Sequence, residues 1–374
     1  MVLAVIVSAY TVRKSAEAII LQKRRGHIFV CGLIGMLALM LYVERGFWRS
    51  QVLPASGTAK KYIKWVDFDV TCEAMKKAYQ YDLESYGTDC PVSWVELLAF
   101  LGAKYGGDFS CYKEKDMEEA VSCLREGKTM EQLASGLTHY AYYREAYGAV
   151  LDGLVGEYEE EMEEGWERKY GLKAFHPIAK RFPYTDYDDF GVSRSYGYKR
   201  NHLGHDMMGQ VGTPVIAVES GYVFHLGWNQ YGGWRIGINS FDGKRYYYYA
   251  HLRKDFPYAT WLKEGSIVQA GDVIGYMGRT GYSATENVNN IDTSHLHFGL
   301  QLIFDESQRE GNNQIWVDVY QLVRFLYQNQ SETVRDDATK EWSRVRQIRD
   351  PEVEEYKEQA SERRFFEVRN LRES

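Results

Sequence analysis

Residues 212–252 read GTPVIAVESGYVFHLGWNQYGGWRIGINSFDGKRYYYYAHL, and this stretch decides the fold class. Short runs of β-branched and aromatic residues alternate there with glycine-containing turns, which is typical of paired β-strands. Similar runs continue along the chain, and together they predict strands at residues 214–217, 221–226, 234–239, 246–252, 267–268, 273–277 and 296–303. We therefore expect a mainly antiparallel β domain.

A first polar cluster stands at the start of this domain, in the sequence NHLGHD. His202 and Asp206 are four residues apart, and a turn at Gly204 lets their side chains converge. An imidazole and a carboxylate together suit a borderline divalent metal such as zinc. His205 has the opposite parity, so we expect it to be exposed or to support a ligand from behind.

Two further histidine motifs follow. The sequence SHLHF places His295 and His297 two residues apart, and alternate residues of a strand point to the same face. The sequence YYYYAHL places His251 at the end of a predicted strand. A lone histidine is more often structural than functional, so the information lies in the order of the motifs.

The order HLGHD, GTPVIAVESGYV, GGWRIGI, YAHL, VQAGDVIGYMGRTG and HLHF closely resembles that of the lysostaphin/LytM-type zinc metallopeptidases. The resemblance covers about residues 185–303. It implies a β-sandwich catalytic domain that hydrolyses peptide bonds in bacterial cell-wall peptidoglycan, within stem peptides or cross-links. It also implies functional residues, with zinc ligands at His202, Asp206 and His297 and catalytic histidines at His251 and His295.

The chemistry of these residue types agrees with that division. Three protein ligands leave zinc an open fourth position for water, whose pKa then falls to ~7. His295 stands beside the ligand His297 and can take the proton of the water, while His251 can donate to the oxyanion or the leaving amine. Loops at residues 197–200, 229–233 and 281–294 are candidates for the walls of a peptide groove.

Two other functions compete with this interpretation. Two histidines and one carboxylate also describe non-haem iron oxygenases, but these have no evident need of His251 and His295. A catalytically silent module that binds or regulates cell-wall hydrolases is the second alternative. Such modules characteristically lack metal ligands, whereas all three are present here. A net charge of −7 gives no reason to expect a nucleic-acid partner.

An uncharged apolar segment at residues 27–43 reaches the ~17 residues that a membrane-spanning helix needs. The residues before it are mainly basic, with Arg13, Lys14, Lys23, Arg24 and Arg25 against Glu17. The positive-inside tendency therefore predicts a single-pass signal anchor in a bacterial cell membrane, with the catalytic domain extracytoplasmic. A cleaved signal peptide is the alternative, although no small-x-small cleavage pattern follows the segment.

Between the apolar segment and the β domain, apolar residues recur at helical spacing, and the acidic run at residues 157–164 is typical of a solvated helix face. Cys72, Cys90, Cys111 and Cys123 permit two disulfides or four free thiols. The predicted organisation is a cytoplasmic N-terminus (1–26), the transmembrane anchor (27–43), a linker (44–59), an α-helical extracytoplasmic region (60–174), the zinc peptidase domain (175–328) and a charged C-terminal helix or tail (329–374).

Overall fold

The computed structural model describes residues 62–195 and 199–373. The predicted N-terminus, transmembrane anchor and linker, at residues 1–26, 27–43 and 44–59, lie outside the described residues and stay predictions. Within the described ranges, none of the helices combines the length and the apolar character needed to cross a bilayer.

The N-terminal described region is helical, as predicted, from residue 72 to residue 151. Its helices are α1 (Cys72–Ser85), α2 (Trp94–Tyr105), α3 (Glu114–Arg125), α4 (Met130–Ala134) and α5 (Tyr140–Leu151). Hydroxyl side chains mark where the helices begin: Thr71 accepts a hydrogen bond from the Ala74 amide, and Ser93 caps α2 in the same way. Gly106 ends α2 in a left-handed conformation.

Residues 155–172 form a β-hairpin, so the prediction of helix for the acidic run was wrong. Strands β1 (Val155–Met162) and β2 (Gly165–Leu172) pair antiparallel along their whole length. One physical reason is that bases of β2 lie diagonally across from acids of β1, as in the 2.5 Å contact between Glu160 and Lys169. The pattern of acids at residues 157–164 contains no information about these partners, which lie on the next strand.

The predicted β domain is built on an eight-stranded antiparallel sheet, which confirms the mainly antiparallel β part of the predicted fold. Its strands run in the order β11-β8-β9-β10-β13-β6-β3, and β14 also pairs with β13. Two further pairs are separate, β7 with β12 and β4 with β5. The bounds are β3 (Tyr184–Asp186), β4 (Ser193–Ser195), β5 (Lys199–Asn201), β6 (His205–Gly209), β7 (Pro214–Ile216), β8 (Gly221–Asn229), β9 (Gly233–Ser240), β10 (Arg245–Ala250), β11 (Ile267–Val268), β12 (Val273–Tyr276), β13 (His295–Leu302) and β14 (Ile315–Val317).

Alternation along the strands divides this sheet into two faces. On β10, Tyr247 and Tyr249 are almost completely buried in the core, whereas Tyr246 and Tyr248 line a groove on the other side. The inner face packs in one continuous hydrophobic core with the helical region. Residues from both sides of position 175, the predicted domain boundary, therefore share one core.

A buried ion pair ties the helical region to the sheet. The Arg245 Nε atom lies 2.7 Å from a carboxylate oxygen of Glu219, and its Nη1 donates to the carbonyl of Ala149 at the end of α5. Tyr247 donates to the same carboxylate at 2.6 Å. All three side chains are buried, so this contact joins the two regions at the centre of the molecule.

The chain after the sheet is only partly the charged helix that the sequence predicts. Helix α6 (Tyr320–Leu326) is followed by three short strands, β15 (Thr333–Arg335), β16 (Trp342–Arg344) and β17 (Ile348–Arg349), and then by the long helix α7 (Pro351–Glu373). The start of α7 is anchored, because the buried Lys173 contacts Asp350 at 2.9 Å and Glu352 at 2.7 Å. All four cysteines of the described region are free.

Candidate metal centre and groove

Two neighbouring strands bring three predicted ligands together. Asp206 on β6 and His297 on β13 are directly opposite each other in the sheet register, and His202 stands just before β6. His202 Nε2 lies 3.0 Å from Asp206 Oδ1 and 2.9 Å from His297 Nδ1. His297 Nδ1 lies 2.9 Å from Asp206 Oδ1. The three atoms thus converge on one point, and this group is the metal-binding candidate of the described chain.

Gly204 is required for this convergence. A Cβ atom at residue 204 would stand 2.6 Å from ring atoms of His297 and 2.8 Å from the carbonyl oxygen of Phe298. Both distances are shorter than van der Waals contact permits. The glycine between the two ligands in HLGHD therefore allows the chain to pass against the imidazole of the third.

Asp189 and Arg194 support the centre, and the sequence analysis missed both. His202 Nδ1 lies 3.2 Å from the carbonyl oxygen of Asp189, so it donates there and leaves Nε2 as the lone-pair nitrogen that faces the centre. Arg194 donates to the buried Asp189 carboxylate and, at 3.3 Å, to the second oxygen of Asp206. No spacing signal marks these residues, because Asp189 lies in a loop and Arg194 lies on the short strand β4, and only the folded chain brings them to the site.

The electrostatics keep the carboxylate of the centre ionised. Burial by itself would raise the pKa of Asp206, but hydrogen bonds with His202 and His297 hold that pKa far below its usual range. Burial lowers the pKa of His297. For His202 burial also lowers the pKa, but the hydrogen bond to Asp206 and the negative charges of Asp206 and Asp189 together outweigh burial, so the pKa is raised.

The donor set fits a divalent metal. Metal–ligand distances of about 2.0–2.1 Å in a tetrahedral zinc site place neighbouring ligand atoms about 3.3 Å apart. The separations of 2.9–3.0 Å observed here are close to that spacing. A few protons cannot bridge all three ligand atoms at once, because these atoms converge on one point, whereas a single cation at that point can. Two imidazoles and one carboxylate are suitable ligands for zinc.

The two predicted catalytic histidines stand beside this centre. His251 follows β10 in a left-handed conformation with φ of 61°, and its Nδ1 lies 2.9 Å from the carbonyl oxygen of Thr280. His295 Nδ1 lies 2.8 Å from the carbonyl oxygen of Thr293, and its Nε2 is 3.7 Å from Asp206 Oδ1. The two rings are 4.7 Å apart, centroid to centroid. Burial lowers the pKa of His251 well below its usual value.

His205 is neither exposed nor in contact with a metal ligand, so that expectation was wrong. It is only 1% exposed, and its Nε2 lies 2.9 Å from a carboxylate oxygen of Asp186. Strand alternation explains this position, because the neighbouring Asp206 points to the opposite face of β6. His205 therefore belongs to the packing behind the sheet.

A groove of about 890 Å³ contains the centre. His202, Asp206, His251 and His297 line it, and each of the three loops predicted to form its walls contributes at least one residue. Those residues are Arg200, Tyr231, Gly232 and Tyr282. The remainder of the floor is the outer face of the large sheet. Such a groove can hold an extended chain across the histidines.

Comparisons with known proteins agree with this geometry. Residues 200–333 match the family model described as Peptidase family M23. The chain is 33% identical over 177 residues to L-Ala–D-Glu endopeptidase of Bacillus subtilis strain 168, which covers 47% of this chain and 51% of that protein. It is 41% identical over 98 residues to lysostaphin of Staphylococcus staphylolyticus, and this alignment covers 26% of this chain and 18% of that protein.

Among solved structures, the catalytic domain of lysostaphin from Staphylococcus simulans is 31% identical, with a TM-score of 0.30. That similarity covers 38% of this chain and 92% of the solved domain. The chain spans about half the length of the Bacillus relative and less than a fifth of the staphylococcal one.

Proposed function

Because residues 200–333 form a Peptidase family M23 domain, we propose that this chain is a zinc-dependent endopeptidase that hydrolyses peptide bonds of bacterial cell-wall peptidoglycan. The observation that carries the proposal is the convergence of His202 Nε2, Asp206 Oδ1 and His297 Nδ1 within 3.0 Å of one another. Two more imidazoles beside this point supply the proton transfers that hydrolysis needs.

Each histidine has a role set by its hydrogen bonds. Zinc held by the three ligands would act as a Lewis acid and would lower the pKa of a water in its open position to ~7. His295 donates through Nδ1 to Thr293, so its Nε2 is the basic nitrogen, suited to accept a proton from that water.

His251 is neutral before the reaction, because burial lowers its pKa, and its Nδ1 proton is directed to Thr280. Its Nε2 therefore has to take up a proton before it can donate one to the leaving amine. The sequence-based expectation that His251 donates to the oxyanion or the leaving amine thus gains a preceding step, the uptake of a proton. Together the two histidines carry the proton from the attacking water to the new amino group.

The relatives indicate the class of substrate. They include an L-Ala–D-Glu endopeptidase and a glycyl-glycine endopeptidase, and both kinds of bond belong to cell-wall peptides. We extend the shared part of these activities, cleavage of a peptide bond in peptidoglycan, to this chain. A groove of about 890 Å³ that contains the histidines has room for several residues of such a peptide.

Zymography on gels that contain cell walls tests the proposal. We expect clearing that a chelator abolishes and added zinc restores, together with near-stoichiometric zinc in the purified protein. Bound iron with oxygen-dependent turnover would instead support the oxygenase alternative. Absence of clearing by a zinc-loaded, folded protein would support the silent binding module.

We also propose that the catalytic domain lies outside the cytoplasm, held by a membrane anchor at residues 27–43. The basic and then apolar pattern of residues 1–43 supports this placement, as does the location of the substrate. Protease treatment of spheroplasts gives the test. The catalytic domain should be digested in intact spheroplasts, and its protection until lysis would contradict the proposal.

A further inference from the structure

Three arginines line the groove around the candidate metal centre, and they differ in how their charge is balanced. The guanidinium of Arg309 is neutralised, because its Nε lies 2.6 Å from a carboxylate oxygen of Glu306. Within residues 62–195 and 199–373, neither Arg200 nor Arg235 forms an ion pair with an acid. Glu310, the remaining acid of the groove lining apart from Asp206, is exposed. We call Arg200 and Arg235 the groove arginines.

Arg235 stands on the floor of the groove, in line with the metal ligands. The pairs Tyr249↔Ile236 and Ala250↔His297 place Arg235, Ala250 and His297 in one row across β9, β10 and β13. Two strand spacings, about 10 Å, separate Arg235 from His297 along this row. The small side chain of Ala250 lies between them. A substrate lying across the histidines therefore passes over the Arg235 guanidinium.

The guanidinium of Arg235 is only partly used. Its Nη2 lies 2.8 Å from His225 Nε2, which orients the side chain without neutralising it. Its Nε is buried and has no hydrogen-bond partner among the described residues. A buried donor without an acceptor is costly, and a bound anion would remove that cost.

Arg200 is held at the rim of the groove beside the predicted catalytic histidine. Its guanidinium lies over the rings of Tyr231 and Tyr282, at 5.5 and 5.0 Å from their centroids. The Tyr282 ring is in turn 5.8 Å from that of His251. The Nε of Arg200 is also buried and lacks a partner in the described part of the chain. Stacking and a hydrogen bond from Nη2 to the Tyr282 hydroxyl hold the guanidinium in place, but neither contact neutralises its positive charge.

We propose that the groove arginines form a carboxylate subsite, so that the enzyme selects acidic stem peptides over uncharged glycine bridges. The inference rests on the proposed function and names its substrate class: a peptide with a free carboxylate on a residue next to the scissile bond. A guanidinium matches a carboxylate in both shape and charge, and the charge-assisted bonds gain strength in a partly desolvated groove. A glycine bridge offers no group that would balance either cation.

Two synthetic stem peptides test the inference. Both contain the L-Ala–D-Glu bond with γ-linked D-glutamate, and they differ only at the α-position of that residue, which carries either a carboxylate or a carboxamide. With the zinc-loaded full chain we expect kcat/KM to be about 10- to 100-fold higher for the carboxylate, mainly through KM. Arg235→Gln and Arg200→Gln should each shrink this ratio, and the double variant should bring it near one.

Arg309→Gln is the matched control, because it removes one positive charge from the same groove at a position that Glu306 already neutralises. It should keep the preference for the carboxylate. Arg235→Lys keeps the charge without the two-pronged geometry, so it should keep a reduced preference. Equal kcat/KM for the two peptides in the parent protein overturns the inference, as does an unchanged ratio in the double variant.

Calorimetric titration with the same peptides separates this inference from the proposed function. If cell walls are not cleared, the proposed hydrolysis fails, but tighter binding of the carboxylate peptide that the double variant loses still supports the subsite. If cell walls are cleared but neither synthetic peptide is cut, the ratio of the affinities for the two peptides again tests the subsite. Equal affinity for the two peptides overturns the subsite in either case.

Discussion

The large sheet carries two buried polar networks on opposite faces, and they are satisfied in different ways. On the inner face the Arg245 guanidinium meets both oxygens of Glu219, at 2.7 and 3.0 Å, and the carbonyl of Ala149 at 3.1 Å. On the groove face His202 Nε2, Asp206 Oδ1 and His297 Nδ1 lie within 3.0 Å of one another. In the first network every acceptor has a donor. The second network brings together three atoms that can all act as acceptors, and it has too few donors for them.

This difference separates a structural network from a functional one. A buried network that is complete within the chain holds two regions in place and needs no ligand. A network of converging acceptors is incomplete until a cation enters, so its free energy depends on what binds. Burial of charged residues alone does not distinguish the two cases, but the balance of donors and acceptors does.

The largest expected effect is on the groove face. His297→Ala removes one of three ligands, so zinc content should fall to background and activity should drop by ~10³-fold or more. His295→Ala removes only the proposed base, so zinc should be retained while kcat falls ~10²- to 10⁴-fold. Metal analysis by mass spectrometry and peptide turnover measure the two effects. Equal zinc loss in both variants would show that the roles are wrongly assigned.

The inner network predicts the opposite outcome. Arg245→Met leaves Glu219 buried and unpaired, which should lower the free energy of unfolding by about 3–5 kcal/mol. The double variant Arg245→Met/Glu219→Gln removes both charges and should recover much of that loss. Chemical denaturation measures the stability, and zinc affinity of the folded protein serves as the control. A change in zinc affinity larger than a few-fold would mean that the two faces are coupled.

Gly204→Ala tests how finely the groove network is positioned. The added Cβ would meet the His297 ring at 2.6 Å, so the imidazole has to shift. We expect zinc affinity to fall ~10- to 100-fold, as for other disturbances of ligand orientation. Gly136→Ala is the matched control, because a Cβ there has open space and should leave the affinity unchanged. Parent-like affinity in Gly204→Ala would show that the chain can relax around the methyl group.

Asp318 provides a smaller test, as a half-buried acid that forms no ion pair with any residue that the structure describes. Burial, and then the nearby Asp188 and Asp69, raise its pKa to about 6. A carboxyl whose folded pKa is raised stabilises the fold while protonated, and this contribution is lost as pH rises from about 4 through 6. Asp318→Asn does not titrate, and Asn can still accept the bond from the Tyr320 amide.

Asp318→Asn should therefore match the parent near pH 4 and exceed it at pH 7, by about 1 kcal/mol after allowance for solvent screening. Denaturation at both pH values measures the difference. A constant difference across this range would assign the effect to the amide itself rather than to the charge.

The sequence predicts the strands β7 to β13 and the convergence of His202, Asp206 and His297, because both leave local signals. All the strands predicted from runs of β-branched and aromatic residues are present, from β7 to β13. The separations HxGxD and HxH reflect a turn and a strand, so they identify residues that converge. Asp189 and Arg194 leave no such signal, since their contacts with the site depend on a loop returning to it.

The β-hairpin at residues 155–172 and the shared core could not be predicted for a related reason. The acids of β1 are stabilised by partners on β2, and Arg245 is stabilised by a carbonyl nearly a hundred positions earlier in the chain. Local composition describes a residue and its neighbours in sequence. It does not indicate which distant group will balance a buried charge.

The bond from Arg245 to the carbonyl of Ala149 has a consequence for recombination and protein engineering. A chimera joined near residue 175 would separate a guanidinium from its acceptor and cut through the continuous core. A chimera should therefore transfer the helical segment together with the sheet. It tolerates a junction only where few contacts join the two sides of that junction. Libraries that shuffle this chain with its relatives should place their junctions before residue 62 or after Glu352, which keeps both acidic partners of the buried Lys173 in the exchanged unit.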